Sequence, residues 1–128
     1  LAQAVQVPGL AHVFGPGVVT TPPKTQLQPD ILVLPSRFPA TSDWRKIDEN
    51  WLAVEVLSRS SYVYDREFKR DAYLALGIRE VWLVDRRDHT IEVARPNVRV
   101  RTMRDVLRWK PVRGVELTIE LSEVFAGL

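Results

Sequence analysis

One glutamate stands out because its surroundings in the sequence are apolar. Glu55 lies within residues 51–58, W-L-A-V-E-V-L-S, where the other seven residues suit a buried β-strand. A buried carboxylate must lose its charge, pair with a cation or bind a metal, because an unpaired buried charge costs several kcal/mol or more. The alternative is a strand at the edge of a sheet, with Glu55 in water. Strand alternation predicts that Trp51, Ala53 and Leu57 share the face of Glu55. Apolar residues on both faces favour a central strand.

A second carboxylate and a lysine could join Glu55. Asp30 comes directly before the apolar run I-L-V-L, which predicts a strand, and Lys69 lies on a helix predicted over residues 64–76. Mg²⁺ prefers oxygen ligands and usually takes one or two carboxylates together with water and substrate phosphate. Asp30 and Glu55 are therefore candidates to share a divalent cation, with the carbonyl oxygen of Val56 as a third ligand. Lys69 could point its ammonium group at the same place.

Lys69 belongs to a polar stripe along this helix. Asp65, Lys69 and Tyr73 are spaced four residues apart, so they lie on one side of a helix. Taken alone, the stripe favours a plain interpretation, a surface ion pair worth a few tenths of a kcal/mol. We expect the helix to face the sheet with its apolar positions, namely Phe68, Ala72, Ala75 and Leu76.

The order of the predicted elements defines the fold class. Strands over residues 31–34 and 51–58 come before the helix, which Gly77 ends, and a strand over residues 80–85 follows it. A turn and a returning strand over residues 90–94 then make a hairpin. This order is α/β (α+β), with a mixed β-sheet flanked by helices. At 128 residues the chain is predicted to form one domain over its whole length.

Composition excludes several classes of protein. The chain has no cysteine, which rules out disulfides, a thiolate zinc site and a thiol nucleophile. No apolar run approaches the roughly 18 residues of a membrane span, so we expect no membrane association and a cytoplasmic location. The hydrophobic fraction of 45% and the charged fraction of 27% are those of an ordinary globular protein.

The net charge of +2 hides an uneven distribution. Residues 86–113 contain nine basic and three acidic side chains, a formal excess of six, so the remainder of the chain carries −4. Such asymmetry points to a polyanion as partner, and solvated arginines on a hairpin face are the alternative. The candidates for contact with nucleic acid are Arg86, Arg87, Arg99 and Arg101.

Taken together, the motifs resemble those of a nuclease superfamily. P-D at residues 29–30 is followed after about 25 residues by E-V-L-S, then by Y-D-R-E-F-K-R-D-A-Y and G-I-R-E-V-W-L-V-D. This order is similar to that of the PD-(D/E)xK nucleases, and within them to the Uma-type restriction endonucleases of bacteria. The resemblance is strong over residues 29–85 and weaker through to the terminal L-S-E-V-F. The combined order is specific, although each single piece is not.

The resemblance implies a restriction-endonuclease-like fold and a metal-dependent endonuclease that hydrolyses phosphodiester bonds of DNA. Asp30 and Glu55 match the two metal-binding acids of the superfamily. The implied cofactor is Mg²⁺ or Mn²⁺, with the carbonyl oxygen of Val56 among its ligands. The implied partners are DNA and a second copy of the chain, because two sites cut both strands of a duplex most easily.

The resemblance also assigns roles on the helix. The lysine of the superfamily would fall at Leu57, and a leucine cannot replace it because it carries no charge. The resemblance implies that in this branch the lysine is displaced to the following helix, where Lys69 lies. Asp65 and Tyr73 would then be supporting residues, which place Lys69 or contact phosphate. A further acidic residue comes from an amino-terminal helical region in many relatives, and that region is not recognisable in residues 1–28.

Three functions remain open at this point. They are a metal-dependent DNA nuclease, a nuclease fold that no longer cuts and serves as a DNA-binding or dimerising module, and an unrelated α/β interaction domain in which Glu55 is only salt-bridged. The sequence starts at Leu1 rather than Met, so an upstream segment that completes the site is also open. Under the first two functions we expect a homodimer, with Trp44 and Trp109 as candidate contacts or, alternatively, as core or loop anchors.

Overall fold

The computed structural model describes residues 11–14, 19–21, 25–27, 30–35, 50–57 and 63–126, and it describes side chains in residues 30–35, 50–57 and 66–126. The described elements are, in chain order, β1 (Ala11–Phe14), β2 (Val19–Thr21), β3 (Thr25–Leu27), β4 (Ile31–Pro35), β5 (Asn50–Val56), α1 (Val63–Ala75), β6 (Ile78–Asp85), β7 (Thr90–Ala94), β8 (Arg101–Met103), β9 (Val106–Trp109), β10 (Leu117–Glu120) and α2 (Leu121–Ala126). Of the two helices in these ranges, neither has the length and apolar character to cross a membrane.

Six of these strands form one mixed sheet, in the order β1-β4-β5-β6-β7-β8. All neighbouring strands are antiparallel except β5 and β6, which are parallel and are connected through α1. Two further pairs, β9 with β10 and β2 with β3, form small separate sheets. The predicted class, a mixed sheet flanked by helices, is confirmed. Strand β5 lies inside the sheet, so the alternative that Glu55 occupies an edge strand is wrong.

The sheet buries one hydrophobic cluster on each face. The face covered by α1, here called the helix side, carries Leu32, Leu34, Ala53, Tyr73, Ile78, Val81, Leu83 and Ala94. The opposite face, here called the hairpin side, is covered by the β9–β10 hairpin and α2 and carries a cluster that includes Val33, Leu52, Val54, Trp82, Leu107, Trp109, Ile119, Leu121 and Val124. The inner strands are apolar on both faces because each face has a covering layer.

Helix α1 ends as its sequence predicts, but it buries a different face. Gly77 follows it with a positive φ of 90°, the left-handed conformation that glycine adopts at low cost after a helix. Phe68 is 50% exposed and Ala75 is also exposed, whereas Tyr73 is fully buried. The prediction that Phe68 and Ala75 face the sheet is therefore wrong. It holds for Ala72 and Leu76, which pack against the helix-side cluster.

The structure places three of the tryptophans in the core. Trp109 is fully buried, and its ring meets that of Trp82 edge-on, with centroids 5.7 Å apart and planes at 77°. Of the two alternatives for Trp109, the core anchor is therefore confirmed, and the contact with a second copy is wrong. Trp51 packs with the hairpin-side cluster instead of sharing the face of Glu55. Trp44 lies outside the described residues.

The central strand supplies a test of this core. Leu52 of β5 is fully buried in the hairpin-side cluster, so Leu52→Ala should lower the free energy of unfolding by about 2–5 kcal/mol, from lost burial and the cavity left behind. Phe68→Ala is the control, because half of that side chain is already in water, and it should cost far less. Urea unfolding measures both. Equal costs would contradict the layer assignment.

Candidate active site

Asp30 and Glu55 lie side by side on neighbouring strands. Ile31 pairs with Val54 in the antiparallel ladder between β4 and β5, which brings Asp30 beside Glu55. The amide N–H of Asp30 donates to the carbonyl oxygen of Val54 over 2.9 Å. Its side-chain Oδ2 accepts the amide N–H of Val56 over 2.6 Å. Asp30 is thus bound to the backbone on either side of Glu55, by its amide group to Val54 and by its carboxylate to Val56.

The Glu55 carboxylate is buried, and one face of α1 satisfies both of its oxygens. Glu55 is 7% exposed, and its ladder partner Leu83 belongs to the helix-side cluster. The ammonium group of Lys69 donates to Oε1 over 3.1 Å, and the hydroxyl group of Tyr73 donates to Oε2 over 3.0 Å. Lys69 and Tyr73 are four residues apart, so they project from the same side of the helix.

The surroundings make the charged form of Glu55 unfavourable. Burial raises the pKa of Glu55 above its ordinary value, and the neighbouring carboxylate of Asp30 raises it further. The hydrogen bond and charge of Lys69, together with the hydroxyl group of Tyr73, lower this pKa but do not cancel the effect of burial. Burial and the charge of Glu55 also raise the pKa of Tyr73, so its hydroxyl group remains a donor.

A second acid on the helix side holds α1 in the same manner. Glu92 of β7 lies in the same ladder row as Glu55, because Leu83 of β6 pairs with both. Arg66 Nη2 donates to Glu92 Oε2 over 2.6 Å, and Arg70 Nη1 donates to Glu92 Oε1 over 2.9 Å. Burial lowers the pKa of Arg70, but its bonds to Glu92 and Asp71 outweigh this and raise it.

These two acids explain which face of α1 is buried. Its sheet-facing donors occupy positions i, i+3, i+4 and i+7, the spacing of a single helix face, and are Arg66, Lys69, Arg70 and Tyr73. Leaving Glu55 and Glu92 unpaired in the interface would cost more than exposing one aromatic ring. The helix therefore turns this polar face inward, and Phe68 points away from the sheet.

The donor set fits a hard divalent cation. Asp30 and Glu55 offer carboxylate oxygens, each oxygen can accept more than one partner, and Oδ1 of Asp30 accepts no hydrogen bond from the described residues. A cation between them would relieve both the repulsion and the burial penalty that raise the pKa of Glu55. Within the described residues no three His, Cys, Asp or Glu side chains cluster, so two carboxylates are the ligands of this kind that the described part of the chain supplies here. That number suits Mg²⁺, which keeps several waters and binds substrate phosphate.

The remaining residues predicted for the site differ in their relation to Glu55. Val56 follows Glu55 and donates to Asp30, so its carbonyl group belongs to the same end of β5. Asp65 lies in α1, and its side chain is outside the described part of the chain. Tyr73 binds Glu55 and is fully buried, which suits a role in holding Glu55 rather than contact with phosphate. Leu57 packs in the helix-side cluster.

The four arginines predicted to contact nucleic acid do not lie together. Arg86 and Arg87 are exposed in the β6–β7 turn, where Asp85 Oδ1 accepts the amide N–H of Arg87 over 2.9 Å. Val84 at the end of β6 pairs with Val56, so this turn lies at the same end of the sheet as Glu55. The other two, Arg99 and Arg101, lie around β8 at the edge of the sheet.

Sequence reasoning missed the group formed by Arg66, Arg70 and Glu92. The sequence did contain the spacing of one helix face, at positions i, i+3, i+4 and i+7, which are Arg66, Lys69, Arg70 and Tyr73. The polar stripe chosen from the sequence, with a period of four, contained only half of this face. The partner Glu92 lies 22 residues after Arg70, on a strand whose register the sequence does not give.

Comparison with known proteins agrees with this architecture. The chain matches the family Uma2, described as "Putative restriction endonuclease", over residues 1–123, and it belongs to that family. The resemblance drawn from the motifs is thereby confirmed. The fold is similar to that of a crystal structure of a "putative nuclease belonging to DUF820" from Anabaena variabilis, with a TM-score of 0.72 and 16% sequence identity. The match covers 97% of this chain and 73% of that one. No curated protein matches the chain.

The raised pKa of Glu55 predicts how stability depends on pH. Protonated Glu55 stabilises the fold fully below its ordinary pKa of 4.5, and this stabilisation is lost as the pH rises through the higher pKa of the folded state. Glu55→Gln mimics the protonated form. In EDTA, the stability of Glu55→Gln relative to wild type should therefore rise between pH 4 and pH 8, as measured by urea unfolding. The exposed Glu67→Gln removes the same charge and is the control. A relative stability that falls with pH would contradict the assignment.

Glu92 allows a test of what holds α1. Glu92→Gln should lower the free energy of unfolding by roughly 1–3 kcal/mol, because it leaves the largely buried guanidinium groups of Arg66 and Arg70 without their carboxylate. Asp71 also binds Arg70, over 3.2 Å, but its side chain is 70% exposed. Asp71→Asn should therefore change stability by less than about 0.5 kcal/mol. Urea unfolding measures the stability of both variants. Equal losses of stability would contradict the conclusion that Glu92 holds α1 through Arg66 and Arg70.

Proposed function

We propose that this protein is a metal-dependent endonuclease that hydrolyses phosphodiester bonds of DNA. The observation that supports this best is the convergence of Asp30, Glu55 and Lys69, which come from two strands and a helix, on one partly buried spot. A shared divalent cation accounts for the burial of Glu55 beside a second carboxylate. Membership of the Uma2 family supports the choice of nucleic acid as substrate.

In this proposal, Asp30, Glu55 and the Val56 carbonyl group would hold Mg²⁺ or Mn²⁺. When bound there, the cation would supply Lewis-acid chemistry, namely a lower pKa for water and neutralisation of charge on the phosphate. Asp30 and Glu55 are held ready by bonds already in place, since Val56 fixes one carboxylate and α1 fixes the other. Pre-positioned ligands need little rearrangement when the substrate arrives.

Lys69 supplies the positive donor of the site. The Lys69 side chain is 32% exposed, and its ammonium group contacts the Glu55 carboxylate over 3.1 Å, so the lysine lies between this carboxylate and the solvent. From there it can orient the attacking water and stabilise negative charge on the phosphate oxygens, which requires a cationic donor rather than a base. Tyr73 holds the second oxygen of Glu55 from the buried side. Arg86 and Arg87 are exposed at the same end of the sheet and would contact the DNA backbone in this proposal.

One observation favours a second candidate function, a nuclease fold that binds DNA or forms a dimer without cutting. Both oxygens of Glu55 already have donors, Lys69 and Tyr73, so the carboxylate is satisfied by the protein alone. In that case Glu55 and Lys69 form a structural ion pair. DNA would still bind with a strong salt dependence, and calorimetry would detect no Mg²⁺ or Mn²⁺ binding.

Plasmid nicking tests the proposal directly. With Mg²⁺ or Mn²⁺ present, the wild type should nick supercoiled plasmid, and EDTA should abolish this. Glu55→Gln and Asp30→Asn should lower the rate by at least about 10²-fold through loss of metal-assisted catalysis, and Lys69→Met should lower it by roughly 10²–10³-fold through loss of charge stabilisation.

Arg104→Met is the control, because it also removes one positive charge and Arg104 is an exposed residue outside both the carboxylate pair and helix α1. Its nicking rate at saturating plasmid should stay close to that of the wild type. Equal activity of Glu55→Gln and wild type would contradict the proposal. Nicking that survives EDTA in all variants would point to a contaminating nuclease.

A further inference from the structure

The basic excess of the carboxyl-terminal half gathers on the hairpin side of the molecule. One hollow lies between the edge strand β8 and the β9–β10 hairpin, with an apolar floor of Val93, Met103 and Leu107. A second, wider hollow lies beside the start of β6, and Arg95 lines both. Their basic lining residues form what we call the basic surface, namely Arg79, Arg95, Arg99, Arg101, Arg108, Lys110 and Arg113.

Much of the charge on this surface has no carboxylate partner among the described residues. Arg79 has an interaction partner of its own. Two described carboxylates bind the remaining group of six basic side chains, which leaves a formal excess of four. Glu80 is buried and binds Arg95 and the indole N–H of Trp82. Glu116 is shared by Arg108 and Lys110 over 3.9 and 3.6 Å.

Three arginines of the basic surface are the most available. Arg99, Arg101 and Arg113 are exposed, and they have no hydrogen-bond or ion-pair partner in the part of the chain that the structure describes. A guanidinium group offers five N–H donors in a fixed fork that matches phosphate oxygens in pairs. This surface therefore presents phosphate-binding groups that the fold itself does not use.

The surroundings of Asp30 and Glu55, unlike the basic surface, carry no excess of positive charge among the described residues. Four described acids on the helix side lie against three described cations: the acids are Asp30, Glu55, Asp71 and Glu92, and the cations are Arg66, Lys69 and Arg70. In the β6–β7 turn, Arg86 and Arg87 adjoin Asp85 and Asp88. Among the described residues, the excess of positive charge therefore lies away from the candidate active site.

The ladder register shows how far apart the two regions are. Arg101 pairs with Val93, Val93 with Trp82, and Trp82 with Val54, the residue before Glu55. Three interstrand spacings of about 4.8 Å therefore separate Arg101 from β5, roughly 14 Å. Val54 and Val93 also pack in the hairpin-side cluster, on the face opposite to Glu55. A phosphate held by Arg101 cannot be the one beside Asp30 and Glu55.

We infer that the basic surface is a second nucleic-acid-binding site, which takes the sugar-phosphate backbone at a position remote from the scissile phosphate. The choice of nucleic acid among polyanions rests on the proposed function. A lipid surface fits less well, because interfacial binding needs apolar side chains beside the cations, and Val98 is the only large exposed apolar residue described on this side.

Salt-dependent DNA binding in EDTA tests the inference, because no cleavage occurs there. Each phosphate contact contributes about 0.9 to the slope of log K against log salt for duplex DNA. Arg101→Gln and Arg113→Gln should each reduce this slope by about 0.9. The triple variant Arg99→Gln/Arg101→Gln/Arg113→Gln should bind a fluorescent duplex at least about tenfold more weakly at 0.1 M salt.

Arg104→Gln is the matched control, because this substitution removes the same charge at an exposed residue. Arg104 lines a different hollow, beside His89 and Phe125. Its slope should equal that of the wild type. Circular dichroism verifies that all variants are folded. The inference is overturned if the triple variant binds like the wild type, if Arg104→Gln weakens binding as much as Arg101→Gln, or if anionic phosphatidylserine vesicles bind and DNA does not.

These outcomes separate the inference from the proposed function. DNA binding that depends on Arg99, Arg101 and Arg113 in a protein that never nicks plasmid would uphold the second site and refute the nuclease. Metal-dependent nicking by a protein whose triple variant binds DNA with the wild-type slope would uphold the nuclease and refute the second site.

Discussion

A carboxylate buried between a sheet and a helix is the constraint on which the rest of this structure depends. Glu55 lies on an inner strand, where burial removes most of its contact with solvent, and its pKa is raised by burial and by Asp30. Lys69 and Tyr73 donate hydrogen bonds to the two carboxylate oxygens of Glu55. Such an arrangement is a poor way to stabilise a fold, because an apolar residue of similar size usually serves as well or better. The role that we propose for a carboxylate at this place is to bind a divalent cation.

The need to satisfy two acids also sets the orientation of the helix. Glu55 and Glu92 lie on either side of Leu83 in one ladder row, and four side chains from one face of α1 reach down to them. The interface therefore combines an apolar floor with a polar row. The polar row fixes the rotation of the helix, and Lys69 takes its position over Glu55 as a consequence. On this account the Glu92 group lies outside the site chemically but determines where the lysine of the site is found.

The sequence predicted strands β4 to β7 and the meeting of Asp30 with Glu55, because apolar strands with a single acid leave few interpretations. It did not predict which face of α1 is buried. Hydrophobicity ranks Phe68 above Arg66, and the partner that reverses this ranking, Glu92, becomes visible only through the register of β5, β6 and β7. Trp109 was equally ambiguous, since a tryptophan may anchor a core or an interface and only the packing against Trp82 decides. The catalytic roles of Asp30, Glu55 and Lys69 stay predictions, because contacts alone do not distinguish an ion pair from a metal site.

That distinction can be made by locating a metal ion directly. A crystal soaked with Mn²⁺ and measured at a wavelength where manganese scatters anomalously would show where the ion binds. Our account predicts an anomalous peak within coordination distance of oxygens from both Asp30 and Glu55, with the Val56 carbonyl group beside it, and no such peak in Glu55→Gln. A well-ordered site in which Lys69 and Tyr73 still hold Glu55, and in which no peak touches either acid, would contradict it.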